Sequence, residues 1–317
     1  MKCKICENEI GNVPFEPEEM MFGNKEKFLY FQCSKCNCLQ IMEVPHNLEE
    51  HYPKNYYSFK LLDEKKRKSL KNKLILWRLK STIFSNGINS KIVRKFFPME
   101  RYEHFVNLNL NFNNKILDVG SGNGSFFLYN LAGIGFSNIL GVDPFLQKNI
   151  EYKNGLRIIK KYFHEVEGFW DLIILHHSFE HMPDPKEIFS TIKKRLAAKG
   201  TCMIFIPTVS SYAWRHYGIY WCQLDAPRHL FLHSVESMNK LAELAGLKID
   251  KIIYNSSAFQ FEGSEKYRKG ISLIDQIKNK YQENLITRKL RLWKYQNMAR
   301  KLNRNKEGDQ AVFYISR

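Results

Sequence analysis

Three glycines follow a short apolar run near the middle of the chain, and their spacing suits the binding of a cofactor. Gly120, Gly122 and Gly124 come directly after the strand-like run 116–119. Glycines at such a turn let a ligand approach the backbone where a helix is about to begin. Dinucleotide-binding folds use a similar turn but space their glycines as GxGxxG. Here Asp118 stands two positions before the first glycine, and a carboxylate there suits a cationic amine better than a pyrophosphate.

A second acid ends the next strand-like run, 139–143. Asp143 stands where a carboxylate can accept hydrogen bonds from both hydroxyls of a ribose, as acids do in nucleotide-binding α/β folds. The alternative is an ordinary turn residue at the end of a strand. Pro144 follows directly and is assigned to the same expected site.

Histidines and an acid are concentrated after a third apolar run, 170–175. His176, His177, Glu180 and His181 all lie in this short stretch. Open α/β sheets bind ligands at the carboxyl ends of their strands, where this stretch would lie. Histidine titrates in the range that suits a general base, so His181 is one candidate base. The alternative is a histidine at a helix start that is satisfied by the backbone.

A further polar segment, 224–230, supplies the second candidate base, His229. Arg228 beside it either clamps a phosphate or carboxylate of the substrate or pairs with Asp225. Trp221 and the aromatic residues just before it either stack on a sugar or ring or form a buried cluster. Glu180, Trp221 and Arg228 are therefore the expected substrate-binding residues.

Cysteines are concentrated at the amino terminus, where five of the seven occur within the first 38 residues. Two CxxC pairs, Cys3 with Cys6 and Cys33 with Cys36, supply the four thiolates of a tetrahedral zinc site. Because all four ligands are thiolates and no position is left for water, we expect the zinc to be structural. Cys38 is the alternative to Cys36, but the matched spacing favours Cys36, and Cys38 is expected to be a packing residue.

The net charge of +17 is unevenly distributed along the 317 residues. The excess of Lys and Arg lies in segments 59–115 and 262–317, whereas 116–261 is nearly balanced. This distribution argues against a generic nucleic-acid-binding core but leaves basic flanks that suit phosphates or anionic lipid. No apolar run reaches the roughly 18 residues of a membrane-spanning helix, and no signal sequence is recognisable. We therefore expect a cytoplasmic protein.

Strand-like and helix-length segments alternate from residue 115 onward, which predicts a parallel sheet with helices on both faces. Ser234 is the expected N-cap of a helix that ends before Gly246, followed by strands at 247–254 and 311–316. The predicted domains are a zinc-binding module over 1–58, a basic helical linker over 59–110 and an α/β domain over 111–317. Residues 262–308 are expected to form a helical insertion before the last strand.

The basic linker reads as two helices, broken near Asn86 and Gly87. Its apolar residues recur at mostly helical intervals and are expected to pack on the neighbouring domain; they are Leu70, Leu74, Trp77, Leu79 and Ile83. Peripheral contact with a membrane surface is the alternative, since a basic amphipathic helix also has this composition.

Residues 115–250 resemble a class I S-adenosylmethionine-dependent methyltransferase. Asp118 to Gly124 match that family's motif I, Asp143 its ribose-binding acid, and Glu180 to Pro185 its EHxxDP segment. The resemblance implies a Rossmann-like fold with a mostly parallel seven-stranded sheet, and S-adenosylmethionine as the cofactor. The residues then expected to bind the cofactor are Asp118, Gly120, Ser121, Gly122, Asn123, Gly124, Asp143, Pro144, Phe163, His164, His176 and His177, with Phe163 and His164 as adenine contacts.

The zinc module, the segment 56–59 and the segment 224–230 further resemble bacterial methyltransferases of surface-polysaccharide and nucleotide-sugar pathways. This resemblance implies methyl transfer to a hydroxyl of a sugar or another small metabolite. RNA methylation, C-methylation of a nucleotide sugar and a non-enzymatic zinc-dependent scaffold are the alternatives. Related quinone-pathway enzymes hold a divalent cation near the EH segment, but His177 stands where their first acid would be, so no Mg²⁺ site is expected. The sequence does not indicate an oligomeric state.

Overall fold

The structure is a computed structural model that describes residues 1–52, 62–64, 69–84, 88–106, 108–278 and 284–317. In these residues the strands are β1 (Val13–Phe15), β2 (Tyr30–Gln32), β3 (Leu39–Ile41), β4 (Ile116–Val119), β5 (Ile139–Val142), β6 (Ile150–Glu151), β7 (Arg157–Ile159), β8 (Trp170–His176), β9 (Leu196–Pro207), β10 (Phe231–Leu232), β11 (Lys248–Tyr254) and β12 (Gln310–Ser316). The helices are α1 (Leu70–Ile83), α2 (Ile88–Phe96), α3 (Leu128–Gly133), α4 (Pro185–Arg195), α5 (Tyr212–Tyr217), α6 (Val235–Leu244), α7 (Phe259–Arg268), α8 (Leu273–Lys278) and α9 (Leu285–Arg304). None of the helices in these residues is long and apolar enough to cross a membrane.

The large sheet has eight strands in the order β11-β12-β9-β8-β4-β5-β7-β6. Strands β5, β4 and β8 are parallel neighbours. The apolar residues of β4 and residues 172–175 of β8 are buried, as expected for parallel strands covered on both faces. The mixed α/β sheet with helices on both sides confirms the predicted fold class. The prediction of seven strands was one short, because β6 is only two residues long and pairs antiparallel with β7, too short for a periodic pattern.

The chain divides into two compact units, and this division differs from the predicted domains. The cofactor unit, as we name it, contains Lys54–His176 and Lys194–Cys202. The cysteine unit contains Met1–Pro53, His177–Lys193 and Met203–Arg317. Strand β9 contributes residues to both. The amino-terminal segment is thus grouped with later parts of the chain in one unit.

A small antiparallel sheet explains this result. Its order is β1-β2-β3-β10, and all four strands belong to the cysteine unit. Leu39 and Gln40 of β3 pair with Leu232 and Phe231 of β10. A strand of only two residues has no sequence signature of its own, so its partner could not be inferred from the local pattern.

The apolar stripe of the basic linker was predicted to pack as one face, and this prediction was wrong. In α1, Leu79 and Ile83 are buried, whereas Leu70, Leu74 and Trp77 are exposed. Leu70, Leu74 and Trp77 lie on one helix face and Leu79 and Ile83 on another, so residues of two faces were read as one stripe. The expected break at 86–87 lies outside the described residues.

The end of the chain agrees with the predicted elements. Ser234 caps α6 by accepting a hydrogen bond from the Ser237 backbone N–H. In the described part of this segment, helices α7, α8 and α9 lie between β11 and β12. This arrangement confirms a helical insertion before the last strand.

Candidate active site and cysteine cluster

The glycine turn of the cofactor unit adopts a backbone that only glycine accommodates readily. Gly120, Gly122 and Gly124 have φ angles of 71°, 54° and 71°, in the left-handed region where a Cβ is unfavourable. A Cβ on Gly124 would also lie 2.6 Å from Cδ1 of Ile158. At the end of β4 the turn therefore comes close to Ile158 of β7.

Asp118 is buried on β4 without a partner for one of its oxygens. Among the residues that the structure describes, nothing forms a hydrogen bond with its Oδ1. Burial, together with the nearby charge of Asp143, raises the pKa of Asp118 to about 8. An unpaired buried carboxylate is costly, and a cationic group would remove this cost. The side chain thus fits the amino group of an amino-acid-like cofactor.

Asp143 lies at the end of β5, where two backbone N–H groups fix its carboxylate. Its Oδ2 accepts a hydrogen bond from Gly122 N at 3.0 Å, and its Oδ1 accepts one from Phe145 N at 3.0 Å. Burial raises its pKa, while these two hydrogen bonds oppose the rise. Each oxygen retains a second lone pair, so the group remains able to accept from a ribose. Pro144 beside it is half-buried.

The other expected cofactor residues of this unit have different surroundings. The Asn123 carbonyl accepts a hydrogen bond from Tyr152 Oη at 2.8 Å, and Ser121 Oγ is a buried hydroxyl without a hydrogen-bond partner in the described residues. Phe163 is buried, whereas His164 is exposed and stacks on Tyr162. The two adenine candidates therefore do not present one common surface.

His176, the last residue of β8, stacks on the ring of Phe126 with a centroid separation of 3.7 Å. The next residue, His177, belongs to the cysteine unit. Its positive φ of 50° turns the chain into the short 3₁₀ helix Phe179–His181. His176 and His177 thus lie in different local environments, although the sequence analysis assigned both to the cofactor site.

Glu180 is a fully buried carboxylate in the cysteine unit. Its Oε1 lies 3.2 Å from Nδ1 of His177 and 4.0 Å from Nε2 of His229. No described residue forms a hydrogen bond with its Oε2. Burial opposes the charged form, but the hydrogen bond from His177 and the charges of the surrounding histidines outweigh it and hold the pKa of Glu180 at about 2. Glu180 is therefore an anion at neutral pH.

His229 is held in one tautomer by the backbone. Its Nδ1 lies 2.8 Å from the carbonyl oxygen of Gln223, so Nδ1 carries the proton and Nε2 keeps its lone pair. Burial, followed by the charge of His181, lowers the pKa of His229 to about 4, although Asp225 and Glu180 oppose this shift. At neutral pH the ring is neutral and able to accept a proton at Nε2.

His181 is the second imidazole of this cluster, and its Nδ1 lies 2.8 Å from the carbonyl oxygen of Arg228. The His181 and His229 rings are 4.8 Å apart at their centroids. Ligand atoms of Glu180, His181 and His229 lie within 4.8 Å of one another, so one hydroxyl group could reach all three. The structure therefore brings together two residues that are 48 positions apart in the sequence, 181 and 229.

Arg228 was expected to bind the substrate, but its surroundings agree with the alternative of an internal ion pair. The guanidinium is fully buried and donates to Asp225 Oδ1 and Oδ2 at 2.6 and 3.0 Å. It also donates to Glu19 Oε1 at 2.9 Å and to the carbonyl oxygen of His51 at 3.2 Å. Because its donors are committed to the protein, Arg228 holds its own loop in place.

Trp221 likewise agrees with the buried alternative and not with a stacking platform. The ring is fully buried, and Nε1 donates a hydrogen bond to Asp309 Oδ2 at 3.0 Å. Burial raises the pKa of Asp309 to about 6, and the Trp221 hydrogen bond partly offsets that rise. Trp214, 6.2 Å away at the ring centroids, completes the cluster.

Two residues near the histidine cluster were missed by the sequence analysis. Glu19 accepts hydrogen bonds from four consecutive backbone N–H groups, residues 21–24, as well as from Arg228. The Tyr52 hydroxyl lies 3.2 Å from Nδ1 of His181. Neither stands in a recognisable motif, and only the fold brings them to the site.

The four cysteines of the two CxxC pairs converge at one point. Sγ of Cys3 is 3.5 Å from Sγ of Cys36, and Sγ of Cys6 is 3.5 Å from Sγ of Cys33. All four sulfur atoms lie within 4.8 Å of one another, an arrangement that suits tetrahedral coordination of Zn²⁺ by thiolates. Cys38 is buried beside His233, outside this group.

The cysteine cluster and the histidine cluster are joined by short contacts within one unit. Tyr30 Oη of β2 donates a hydrogen bond to the carbonyl oxygen of His229 at 2.8 Å. Ser234 Oγ donates to the carbonyl oxygen of Cys36, and Gln40 Nε2 donates to Sγ of Cys3 at 3.1 Å. The small sheet therefore connects the ligand loops to the segment that carries His229.

Comparison with known proteins gives one family match. The family described as a methyltransferase domain matches residues 91–252, and no curated protein matches the chain. Among solved structures, the chain is similar to the cyclopropane synthase MmaA2 from Mycobacterium tuberculosis, with 12% sequence identity and a TM-score of 0.46. The alignment covers 87% of this chain and 100% of MmaA2. The chain is also similar to the O-methyltransferase of a trans-AT PKS multienzyme of Brevibacillus brevis in complex with S-adenosyl-L-homocysteine, with 15% sequence identity and a TM-score of 0.42. That alignment covers 76% of this chain and 78% of the O-methyltransferase.

Proposed function

Since the chain belongs to the methyltransferase domain family, we propose that it transfers the methyl group of S-adenosylmethionine to a hydroxyl of a sugar or another small metabolite. The observation that carries the proposal is Asp118, a buried carboxylate with an unpartnered oxygen beside a glycine turn. A site with this electrostatic character favours a cationic ligand. The histidine cluster with its ionised glutamate supports a hydroxyl acceptor.

The residues of the cofactor unit are proposed to hold S-adenosylmethionine from two sides. Asp118 would pair with the amino group, and Asp143, fixed by the N–H groups of Gly122 and Phe145, would accept from the ribose hydroxyls. When bound, the cofactor supplies a sulfonium methyl group that is already activated for transfer. The protein therefore has to position the acceptor and remove its proton.

His229 is the proposed general base. Its Nε2 lone pair would accept the proton that the acceptor hydroxyl loses on methylation. The Gln223 carbonyl keeps the proton on Nδ1 and thereby reserves Nε2 for this step. Glu180, at 4.0 Å from Nε2, would stabilise the imidazolium that results. His181 is proposed to hold the same hydroxyl in place.

The four cysteines are proposed to bind a structural Zn²⁺. All four ligands are thiolates, which leaves no coordination position for water or substrate. The metal would then stabilise the small sheet on which the His229 segment depends.

The direct test is mass spectrometry of acceptors incubated with the protein and methyl-labelled cofactor. The panel should include nucleotide sugars, free sugars and RNA, with His229→Gln as the matched variant. We expect label in an O-methyl ether of a sugar, strongly reduced for the variant. Label in RNA or on a sugar carbon would contradict the proposed acceptor, and absence of heat on calorimetric titration with S-adenosylhomocysteine would contradict the proposed cofactor.

A further inference from the structure

Helix α9 packs within the cysteine unit through side chains that contact α7 and the residues just before it. Tyr295 contacts Phe261 of α7 with a ring separation of 5.2 Å. The Gln296 side chain accepts a hydrogen bond from the backbone of Ala258 at 3.2 Å, and Arg291 lies 3.5 Å from the Glu262 carboxylate. These contacts fix the orientation of the helix.

Along the first half of α9, large apolar side chains are exposed on one side of the helix. Leu285, Ile286, Leu290 and Trp293 are 66%, 70%, 63% and 68% exposed. At 100° per residue they fall within an arc of about 140° on the helix. Single exposed apolar residues are common, but four on one face within nine residues form a patch of the kind that marks an interaction site.

The same face is strongly basic. Lys289 and Lys294 are exposed among the apolar residues, and Arg300, Lys301 and Arg304 are exposed further along the helix. The sequence of α9 contains no Asp or Glu. Arg288 and Arg291, on the attached side, are already near Glu262. The exposed charge of α9 is therefore positive only, which favours an anionic partner.

The combination of leucine, isoleucine, tryptophan and lysine on this face favours a lipid bilayer over a nucleic acid as the anionic partner. Nucleic acids offer phosphates and aromatic bases, and their binding surfaces do not require exposed branched aliphatic residues. A bilayer surface accepts aliphatic side chains below the headgroups, places tryptophan at the interface and lets long lysine side chains reach the phosphates. We propose that the exposed face of α9 binds the surface of an anionic lipid bilayer, with Leu285, Ile286, Leu290 and Trp293 inserted and the basic side chains at the headgroups.

The test is cosedimentation of the full-length protein with vesicles. Binding is expected with equal parts of phosphatidylcholine and phosphatidylglycerol, to be much weaker with phosphatidylcholine alone, and to fall as salt is raised. Leu290→Gln/Trp293→Gln and Lys289→Gln/Lys294→Gln should each weaken binding about tenfold or more. Leu244→Gln, which changes an exposed leucine of α6 in the same unit, should leave binding unchanged. Because all these side chains are exposed, the thermal midpoints should remain the same.

Three results would overturn the proposal. The first is vesicle binding that the Leu290/Trp293 double variant retains in full. The second is tight RNA binding that depends on Lys289 and Lys294 but not on Leu290 and Trp293, which would assign the basic face to nucleic acid. The third is a dimer that the Leu290/Trp293 variant dissociates, which would assign the patch to a second copy of the chain.

Discussion

Asp118 and Glu180 are both buried carboxylates, yet their surroundings move their pKa values in opposite directions. Burial and a neighbouring acid raise the pKa of Asp118 to about 8. Burial acts on Glu180 as well, but the histidines around it outweigh burial and lower its pKa to about 2. Divergent environments of this kind commonly separate the roles of two acids in one enzyme. Asp118 is suited to a bound cation, and Glu180 to a permanent negative charge.

Asp118→Asn should therefore stabilise the free protein relative to the wild type as the pH rises. The folded pKa of about 8 lies above the unfolded value of about 3.9. The folded wild type thus retains a proton that the unfolded chain releases, and its stability falls as the pH rises between these values. The difference in unfolding free energy between variant and wild type, measured by denaturant titration from pH 5 to pH 8, should grow with pH. A constant difference would contradict the assigned environment.

The same variant should lose affinity for S-adenosylhomocysteine. A hydrogen bond to a charged group contributes about 1.5–3 kcal/mol. Its loss should therefore raise the Kd measured by calorimetry at least tenfold. His229→Gln serves as the control, because it changes the proposed base and not the proposed amine partner, and its Kd should match that of the wild type.

His229 should give the methyl-transfer rate an unusual dependence on pH. Because burial lowers its pKa to about 4, the neutral ring required of a base predominates at every pH above about 5. We expect kcat to be flat from pH 6 to 8, where an ordinary histidine would titrate, and His229→Gln to reduce kcat about 10²-fold or more. An inflection near pH 6.5 that disappears in the variant would contradict the lowered pKa of His229.

Sequence reasoning located the residues whose signals are local and missed those defined by distant contacts. The CxxC pairs and the glycine turn each have a fixed spacing, and the four cysteines do converge. Arg228 was ambiguous because its second partner, Glu19, lies 209 residues away. Nothing in the local pattern of either residue reveals that contact, so the substrate-binding role remained an open alternative.

At the scale of elements, strands of four or more residues were predictable from the sequence, whereas strands of two or three residues were not. The strands β4, β8, β11 and β12 were found close to their predicted limits, because buried apolar runs in an alternating α/β chain have one consistent interpretation. The stripe of α1 was misassigned because apolar residues on two faces of a helix give nearly the same spacing as one broad face.

The turn after β4 allows a matched test of its close contact with β7. Gly124 and Gly155 both have positive φ, 71° and 83°, but only a Cβ at 124 meets another atom, 2.6 Å away. Gly155→Ala should cost about 1 kcal/mol of unfolding free energy from the backbone alone. Gly124→Ala should cost about 1–3 kcal/mol more because Ile158 must move. If both variants lost the same unfolding free energy in denaturant titration, Ile158 would move away from the new Cβ at no cost.

At the scale of the whole molecule, the cysteine cluster should affect much more than the first 50 residues. Chelation of zinc, or Cys33→Ser, should lower the unfolding free energy by about 3 kcal/mol or more and abolish methyl transfer, since β3 pairs with the strand that follows His229. Cys38→Ala is the control, because Cys38 is buried but outside the four-sulfur group. It should retain one zinc per chain. Full activity of a metal-free protein would contradict this dependence.

The pairing of β3 with β10 also has a consequence for synthesis on the ribosome. Tyr30 of β2 and His229, which precedes β10 and whose carbonyl oxygen Tyr30 binds, are 199 positions apart. At about 5–20 residues per second, the nascent amino terminus waits roughly 10–40 s for that strand to be translated. During this interval the four thiolates are available while the sheet behind them is incomplete. The proposed zinc site would then be able to capture its metal before the unit folds, and the loaded loops would serve as a template for the late strand.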